Sequence, residues 1–385
     1  VQADYLTEVM PDWHTMDATE WDALLSAQAT PTPFMRHAYL SALTETACAS
    51  PTRGWQLQLV ALRQAGQLMA ACPVYFKNHS YGEYIFDWAW AQAYERHGLE
   101  YFPKAVISVP FTPVPGTRLL ARDDTWRDRL LQAAIDLTHD AEASSLHLLW
   151  SDEADLKSAA RLGLMRRDGV QFHWRNPGVR GFDEFLATLR QDKRKKIKQE
   201  RRKVADAGIE FDTRHGAEIT AADWAFFYHC YAQTYAEHGN PPYLNRSFFE
   251  RMARDMAPNW VLVMARRNGQ AIACSLLAVQ GLGQPDAVAY GRYWGALERH
   301  DCLHFEACYY QPIEWCLRHG VSRFEGGAQG EHKMSRALLP TPTASAHHIR
   351  HPGFAQAVSD FLGRERQGVA AYMDDLGQRT PLRRA

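Results

Sequence analysis

Two distant stretches of this chain read as the same hairpin, and that repeat limits the available folds more than any other feature. Residues 57–71, LQLVALRQAGQLMAA, align without a gap to residues 260–274, WVLVMARRNGQAIAC. Each is an apolar strand-like run, a turn carrying Gly66 or Gly269, and a second apolar run, the pattern of a β-hairpin. The same offset matches Trp21 in DATEWDALL to Trp224 in TAADWAFFY. Both tryptophans open a helical pattern behind a cap signal, with Asp17 and Thr220 as N-caps and Glu20 and Asp223 three residues on. Further along, residues 130–150 and 308–327 both read helix, short turn, strand.

Each half therefore runs helix, helix, hairpin, further strand, helix, strand. That order calls for α/β (α+β) domains with mixed sheets, not a solenoid or a bundle. A length of 385 residues suits two such domains. Pro177, Gly178 and Gly181 mark a linker in RNPGVRGFDEF (175–185), so the expected division is 1–174 and 175–385. Residues 94–120, with four prolines and many aromatics, read as a packed irregular insertion beside a site.

Net charge and cysteine use narrow the function classes. The formal net charge is −1, unlike a protein that coats nucleic acid. Its seven cysteines lack CxxC spacing and suit reduced thiols. No window is apolar enough for a membrane span, and VQADYLTEVMPDW lacks a signal-peptide layout. The expectation is a cytoplasmic protein.

Against that neutral background, residues 191–208 concentrate eight cations: Lys193, Arg194, Lys195, Lys196, Lys198, Arg201, Arg202 and Lys203. Only Asp192, Glu200 and Asp206 offset them. Phe182, Phe185, Leu186, Leu189, Ile197 and Val204 recur at helical spacing around the charges, and Gly208 follows as a stop. The run is thus an ordered helix. A solvated face is the plain reading; a strip of self-repelling cations favours a polyanionic partner such as tRNA, a nucleotide diphosphate or a phosphorylated lipid.

The series KRKKIKQERRKVADAGI, FFYHCYAQTYAEHG, LVMARRNGQAIACSLLAV, AYGRYWGALERHDCLHFEACYYQPIEWCLRHG and RFEGGAQGEHK resembles the second domain of Fem-type aminoacyltransferases. With NHSYGEYIFDWAWAQAYERHGLEYFPK and VPFTPVPGTRLL from the first half, it is most similar to the FemAB-like predicted N-acyltransferases of peptidoglycan biosynthesis or recognition, in the GNAT superfamily. The resemblance covers residues 20–365 and implies two tandem GNAT-like domains. It implies transfer of an aminoacyl or acyl group from a carrier to an amine acceptor on a small molecule or peptide, with no tightly bound cofactor. The basic helix, with Lys193, Arg194, Lys195, Lys196, Lys198 and Arg201, stands where Fem enzymes place phosphate-holding cations. An ordinary GNAT enzyme holds the CoA pyrophosphate in a glycine-rich loop before a helix. The matching segment ALERHDCLHFEACYY (296–310) has no glycine, which favours aminoacyl-tRNA over acyl-CoA as donor.

N-acyl transfer needs a deprotonated amine, a held oxyanion and a protonated leaving group. EGGAQGEHKMSR (325–336) offers the densest supply. Glu331 and His332 are candidate bases, and Lys333 a candidate cation for oxyanion or phosphate. Gly327 and Gly330, with Gly326, let backbone approach a ligand; an exposed glycine-rich turn is the plain alternative. Lys333 is the nearest match to a lysine that Fem-type enzymes carry shortly after this strand. In YGRYWG (290–295), Tyr290, Arg292 and Trp294 are expected on one strand face opposite Tyr293. Tyr290 and Arg292 join His304 and Glu306 as substrate-binding candidates, although the latter two also suit a helix start. Glu83 and Asp87 in HSYGEYIFDWAW could hold an amine in an interdomain cleft, against packing as the plain reading. His347, His348 and His351 have i,i+4 spacing without the glutamate of HExxH, and no metal is expected. The rival readings are a CoA-dependent N-acyltransferase acting on a small amine, and a non-catalytic protein that recognises cell-wall precursors or tRNA.

Overall fold

The computed structural model describes residues 5–327 and 330–383. It divides into two compact units, one of residues 1–169 and 342–372, the other of residues 170–341 and 373–385. The expected linear division near 174/175 omits the return of the 342–372 segment to the first unit. Ile349, Val358 and Leu362 pack there in one cluster with Trp90, Tyr94 and Tyr101.

In the first unit the strands are β1 (Leu6–Met10), β2 (Trp55–Gln64), β3 (Gln67–Lys77), β4 (Lys104–Ile107), β5 (Leu120–Ala121) and β6 (Ser145–Leu148). Its helices are α1 (Ala18–Ser26), α2 (His37–Glu45), α3 (Trp88–Arg96), α4 (Asp124–Asp140) and α5 (Glu153–Arg161). β1, β2, β3 and β4 pair antiparallel in that order, β4 pairs β6 in parallel, and residues 346–349 close the sheet antiparallel to β6. β4 lies inside the segment read as an irregular insertion. Four buried residues beside Pro103 give no periodicity to detect. Helix α4 lays Trp126, Leu130, Leu131, Ala134 and Ile135 on the apolar face of β2, β3 and β6. Each large side chain buried this way contributes about 1.5–3 kcal/mol.

The second unit repeats the plan. The chain enters it along β7 (Met165–Arg175), followed by α6 (Phe182–Ala187), α7 (Gln191–Asp206) and β8 (Ile209–His215). Then come α8 (Ala221–Glu237), α9 (Arg246–Asp255), β9 (Trp260–Arg267), β10 (Gln270–Gln280) and β11 (Val288–Ala296). A short α10 (Leu303–Phe305), a π-helical turn (Glu306–Tyr310) and α11 (Gln311–Arg318) lead to β12 (Arg323–Glu325). β13 (Leu339–Ile349) and α12 (Pro352–Gln378) follow, and their residues 342–372 belong to the first unit. β8, β9, β10 and β11 pair antiparallel, β11 pairs β12 in parallel, and β12 pairs β7 antiparallel.

Local chemistry behaves as the sequence repeat requires. The Asp17 carboxylate accepts from Glu20 N, and Thr220 with Asp223 forms a full capping box. Both hairpins turn through two positive-φ residues, Ala65–Gly66 (49° and 81°) and Asn268–Gly269 (50° and 77°), the type I′ geometry suited to strand twist. The basic run is helical but separate from the segment before it. The chain breaks at Leu189–Arg190, where Arg190 N donates to Pro381 O and Leu189 bridges Leu382. Among the described residues no helix is long and apolar enough to cross a membrane.

Candidate active site

The parallel strands of the second unit part immediately after they pair. The register runs Val288↔Arg323, Ala289↔Phe324, Tyr290↔Glu325 and then ends. On the other side of β11, a bulge leaves Arg292 without a partner position, since Leu276 faces Tyr293 and Leu277 faces Gly291. A bulge bends its strand and frees backbone groups from the ladder. The opening is a cavity of about 140 Å³ between Gly291–Trp294 on one side and Gly326–Gly327 on the other, with His304, Cys308 and Tyr309 closing it.

The first unit makes the same parallel pair. There Ala105, Val106 and Ile107 face Leu146, His147 and Leu148. By this register Leu149 and Trp150 stand where Gly326 and Gly327 stand in the second unit. Trp150 and Gly327 even share the left-handed backbone, at φ 57° and 84°. Leu149 and Trp150 are buried in a cluster with Val106, Tyr84 and Ile85, which fills the gap. Two glycines therefore decide which half keeps a cleft. A Cβ at Gly327 would meet only Gly291 O and Lys333 Nζ, both at 3.9 Å. Gly327→Ala is thus expected to cost about 1–2 kcal/mol from its left-handed backbone alone, read as a shifted urea midpoint, with the cleft still open.

Behind the glycines lies the segment 331–336, held as a short 3₁₀ turn. Lys333 is buried, 4% exposed, and its Nζ donates to Gly327 O at 2.8 Å. Among the described residues no carboxylate pairs with it, and burial pushes its ammonium down to about 8. His332 is exposed, and its Nε2 lies 3.3 Å from Tyr309 Oη. Glu331 is exposed and faces Arg379 at 3.1 Å. Gly330 takes φ 116° at the turn's start. Ala328 and Gln329 of the motif lie outside the described residues.

The aromatic strand departs from simple alternation because of the bulge. Tyr290 is 1% exposed, and Arg292 lies over the ring of Tyr293, with NH2 donating to its hydroxyl at 3.1 Å. Tyr290 and Arg292 thus do not share a face with Trp294 as alternation required; the extra residue breaks the period. His304 is in the cleft, edge-on to Trp294 and Tyr309. Burial first, then His332, Arg336 and Lys333, lower it to about 4, so it is neutral at pH 7. Glu306 points away from the cleft wall and pairs with Arg201 at 2.9 Å.

That pair divides the basic helix into two faces. Ile197, Glu200 and Val204 are buried, and Arg201 is held by Glu306 and Glu314. Lys195, Lys196 and Lys198 are exposed, as are Arg202 and Lys203. Lys193 lies 3.4 Å from Asp192, and Arg194 is half-buried. Arg201 is therefore committed to carboxylates, whereas the three lysines remain open to an external anion.

In the first unit, Glu83 and Asp87 are buried and already hold an amine. Lys104 Nζ donates to Glu83 at 2.8 Å, to Asp87 at 2.5 Å and to Ser80 at 2.9 Å. Lys77 stands 3.7 Å from Glu83, over the Trp55 ring. Tyr101 donates to Asp87, and His147 lies against His347 at 2.8 Å between ring nitrogens. The two carboxylates thus serve the interior of their own unit. His347 and His348 sit on β13, so the spacing read as helical places them on opposite faces; His348 meets His139. Among the described residues no cluster of three metal-ligating side chains forms.

Three residues of interest carried no strong sequence signal. Glu325 ends β12 next to Gly326, is buried, and is pushed up to about 7 by burial. His173 lies 3.8 Å from it and is lowered to about 3. The third is Arg336, whose partner Glu200 passed for one more charge on the basic helix. A groove of about 380 Å³ beside residues 296–304 is lined by Glu237, Glu298 and Asp301, each already paired: with Arg299, with His300 and Arg267, and with Lys203.

The sequence pattern of the FemAB-like family, described as peptidoglycan biosynthesis/recognition, matches residues 12–384. No curated protein sequence matches the chain. Among solved structures, FemX is similar at TM-score 0.53 and 12% identity, covering 91% of this chain and 100% of its own. L-PGS from Bacillus licheniformis is similar at TM-score 0.53 and 9% identity, covering 90% and 97%. The C-terminal domain of a putative lysylphosphatidylglycerol synthetase from Agrobacterium fabrum gives TM-score 0.52 and 11% identity, covering 91% and 96%. At such identities these likenesses concern the fold. With the family pattern spanning nearly every residue and a mixed-sheet fold shared with FemX, the chain belongs to the FemAB-like family.

Proposed function

We propose that the protein transfers an aminoacyl group from aminoacyl-tRNA to an amine on a peptide or small-molecule acceptor of cell-wall precursor type, at the cleft between β11 and β12. The observation that carries this reading is Lys333, a buried cation with no carboxylate partner among the described residues, directly behind the Gly326–Gly327 pair that lines the open strand gap. A buried charge lacking its counter-charge is costly, and an oxyanion formed in the cleft would supply one.

In this reaction the acceptor nitrogen attacks the ester carbonyl carbon and the carbonyl pair moves onto oxygen, where Lys333 holds it. Collapse breaks the bond from carbon to the tRNA ribose oxygen, and the proton lost by the amine ends on that leaving oxygen. His332, joined to Tyr309, is the proton carrier of this reading, because partial burial first, and then its neighbours Arg336 and Lys333, lower its pKa and favour the neutral ring. Glu331 is engaged outside by Arg379 and takes no proton here. His304, neutral beside Trp294, orients the acyl group by hydrogen bonding.

The tRNA donor is favoured over acyl-CoA by the exposed lysines of α7 and by the lack of any glycine in residues 296–310. Replacing Lys195, Lys196 and Lys198 together by Gln is expected to weaken tRNA binding. The slope of log K against log salt should flatten by about 2–3, at 0.7–0.9 per lost contact. An unchanged slope in a filter-binding series, or turnover with acyl-CoA in the absence of tRNA, would sink the tRNA donor.

A further inference from the structure

The basic helix has an inner face as well as an outer one, and the inner face reaches the segment that carries Lys333. Glu200 is on that buried face. Both of its oxygens accept from Arg336 NH2, at 3.0 and 2.9 Å, and Tyr310 donates its hydroxyl to the same carboxylate. Arg336 is 2% exposed, lies 3.4 Å over the ring of Phe305, and returns NH1 to His332 O at 2.7 Å. Lys333 is the next residue after that carbonyl, and its own backbone is tied to Gly330 O and Leu338 N.

We infer that Glu200 is a positioning residue: through Arg336 it fixes the 331–336 turn, and so sets where the Lys333 ammonium stands against the cleft. The chain of contacts is short and charged at each joint. Without the Glu200 charge, Arg336 is a buried guanidinium with no carboxylate, an arrangement proteins avoid. Relief comes by swinging Arg336 outward, and its bond to His332 O draws the turn with it. Lys333 then leaves Gly327 O and meets solvent. Arg201, the neighbouring residue on α7, goes to Glu306 and Glu314 instead, so one helix is bolted to two sides of the π-helical turn. The exposed lysines and the cleft cation consequently belong to a single braced assembly.

This inference rests on Lys333 being the cleft cation of the proposed reaction, but its test does not need turnover. Reductive methylation of Lys333 followed across pH by mass spectrometry reads the ammonium directly. In the native protein the midpoint is expected near pH 8, the value to which burial lowers it. In Glu200→Gln the midpoint should rise by at least about one unit toward that of an exposed lysine, while Glu314→Gln, which removes only a partner of Arg201, leaves it in place. Tyr310→Phe, which keeps the Glu200–Arg336 pair, should give a smaller rise and covers the case in which Glu200→Gln does not fold. Equal midpoints in Glu200→Gln, Glu314→Gln and the native protein, or in Tyr310→Phe and the native protein where only that variant folds, would overturn the inference. A shifted midpoint in a protein that transfers nothing from any charged tRNA would keep the brace and reject the reaction. Where turnover is measured, Glu200→Gln is expected to lower kcat at least tenfold with KM for tRNA within about twofold, because the lysines of α7 are untouched.

Discussion

Lys333→Met is expected to lower kcat by about 10²–10³ while making the protein more stable at pH 7. The rate effect is what removal of one oxyanion-holding group typically costs. The stability effect follows from linkage. Burial lowers the Lys333 ammonium to about 8 in the folded chain, from 10.5 when exposed. Between those values the unfolded chain binds more protons, so native stability rises with pH across this window. Below pH 8 the folded chain carries the full penalty of a buried, carboxylate-free cation, and methionine removes it. Thermal melts should therefore show the variant ahead at pH 7 and the gap closing toward pH 10.5. Turnover of the native enzyme should fall as pH rises through about 8, since the holding group is the protonated one, and this limb should vanish in the variant. A variant that loses both activity and stability would mean that Lys333 serves packing alone.

Lys104→Met is expected to act in the opposite sense, destabilising the chain by about 3–5 kcal/mol, the usual consequence of removing one member of a buried ion pair. Its ammonium is fully buried and donates to Glu83, Asp87 and Ser80. Methionine of similar length would leave two buried carboxylates with Lys77 near Glu83 and the Tyr101 hydroxyl on Asp87 as the neighbours among the described residues. Burial raises Glu83, whereas Lys104 and the His147 neighbourhood hold Asp87 below its usual range despite burial. The Asp87 contribution is present above the ordinary carboxylate value and is lost as pH falls through its lower folded value. In the variant that depression disappears and one carboxyl takes up a proton. Urea melts should show the full loss at pH 7 and a smaller difference near pH 4. A loss under about 1 kcal/mol at pH 7 would mean that the cluster is wet and needs no internal cation.

The second case shows where sequence reading of the site stopped. Glu83 and Asp87 were visible as acidic residues among aromatics, with an amine as their suggested partner. Their partner is not a substrate amine but Lys104, supplied by a strand hidden in a proline-rich stretch that has no alternation to read. Arg201 likewise stood among eight cations, and nothing in its spacing separates it from Lys198; the difference is that Glu306 and Glu314, more than a hundred positions on, face it. Glu325 gave no signal because a carboxylate on a three-residue strand looks exposed until both neighbouring strands are in place. Lys333, by contrast, stood out as a candidate because glycines on its N-terminal side announced a place where backbone must come close, while its burial against Gly327 O came only from the fold.

By itself the sequence determined everything that depends on neighbours a few residues away. The caps at Asp17 and Thr220, the two-residue hairpin turns, the ordered basic helix and the repeat of the whole plan all follow from local hydrogen bonding and apolar period. Only the tertiary structure decided what those matched halves became. Residues 342–372 close the first unit because their apolar face completes the cluster of Trp90 and Tyr94, a preference no local pattern encodes. The same parallel strands form a filled core over Leu149–Trp150 and an open cleft over Gly326–Gly327. Which of two equivalent gaps stays open is set by side-chain volume at aligned positions, and that alignment exists only once the strands are paired.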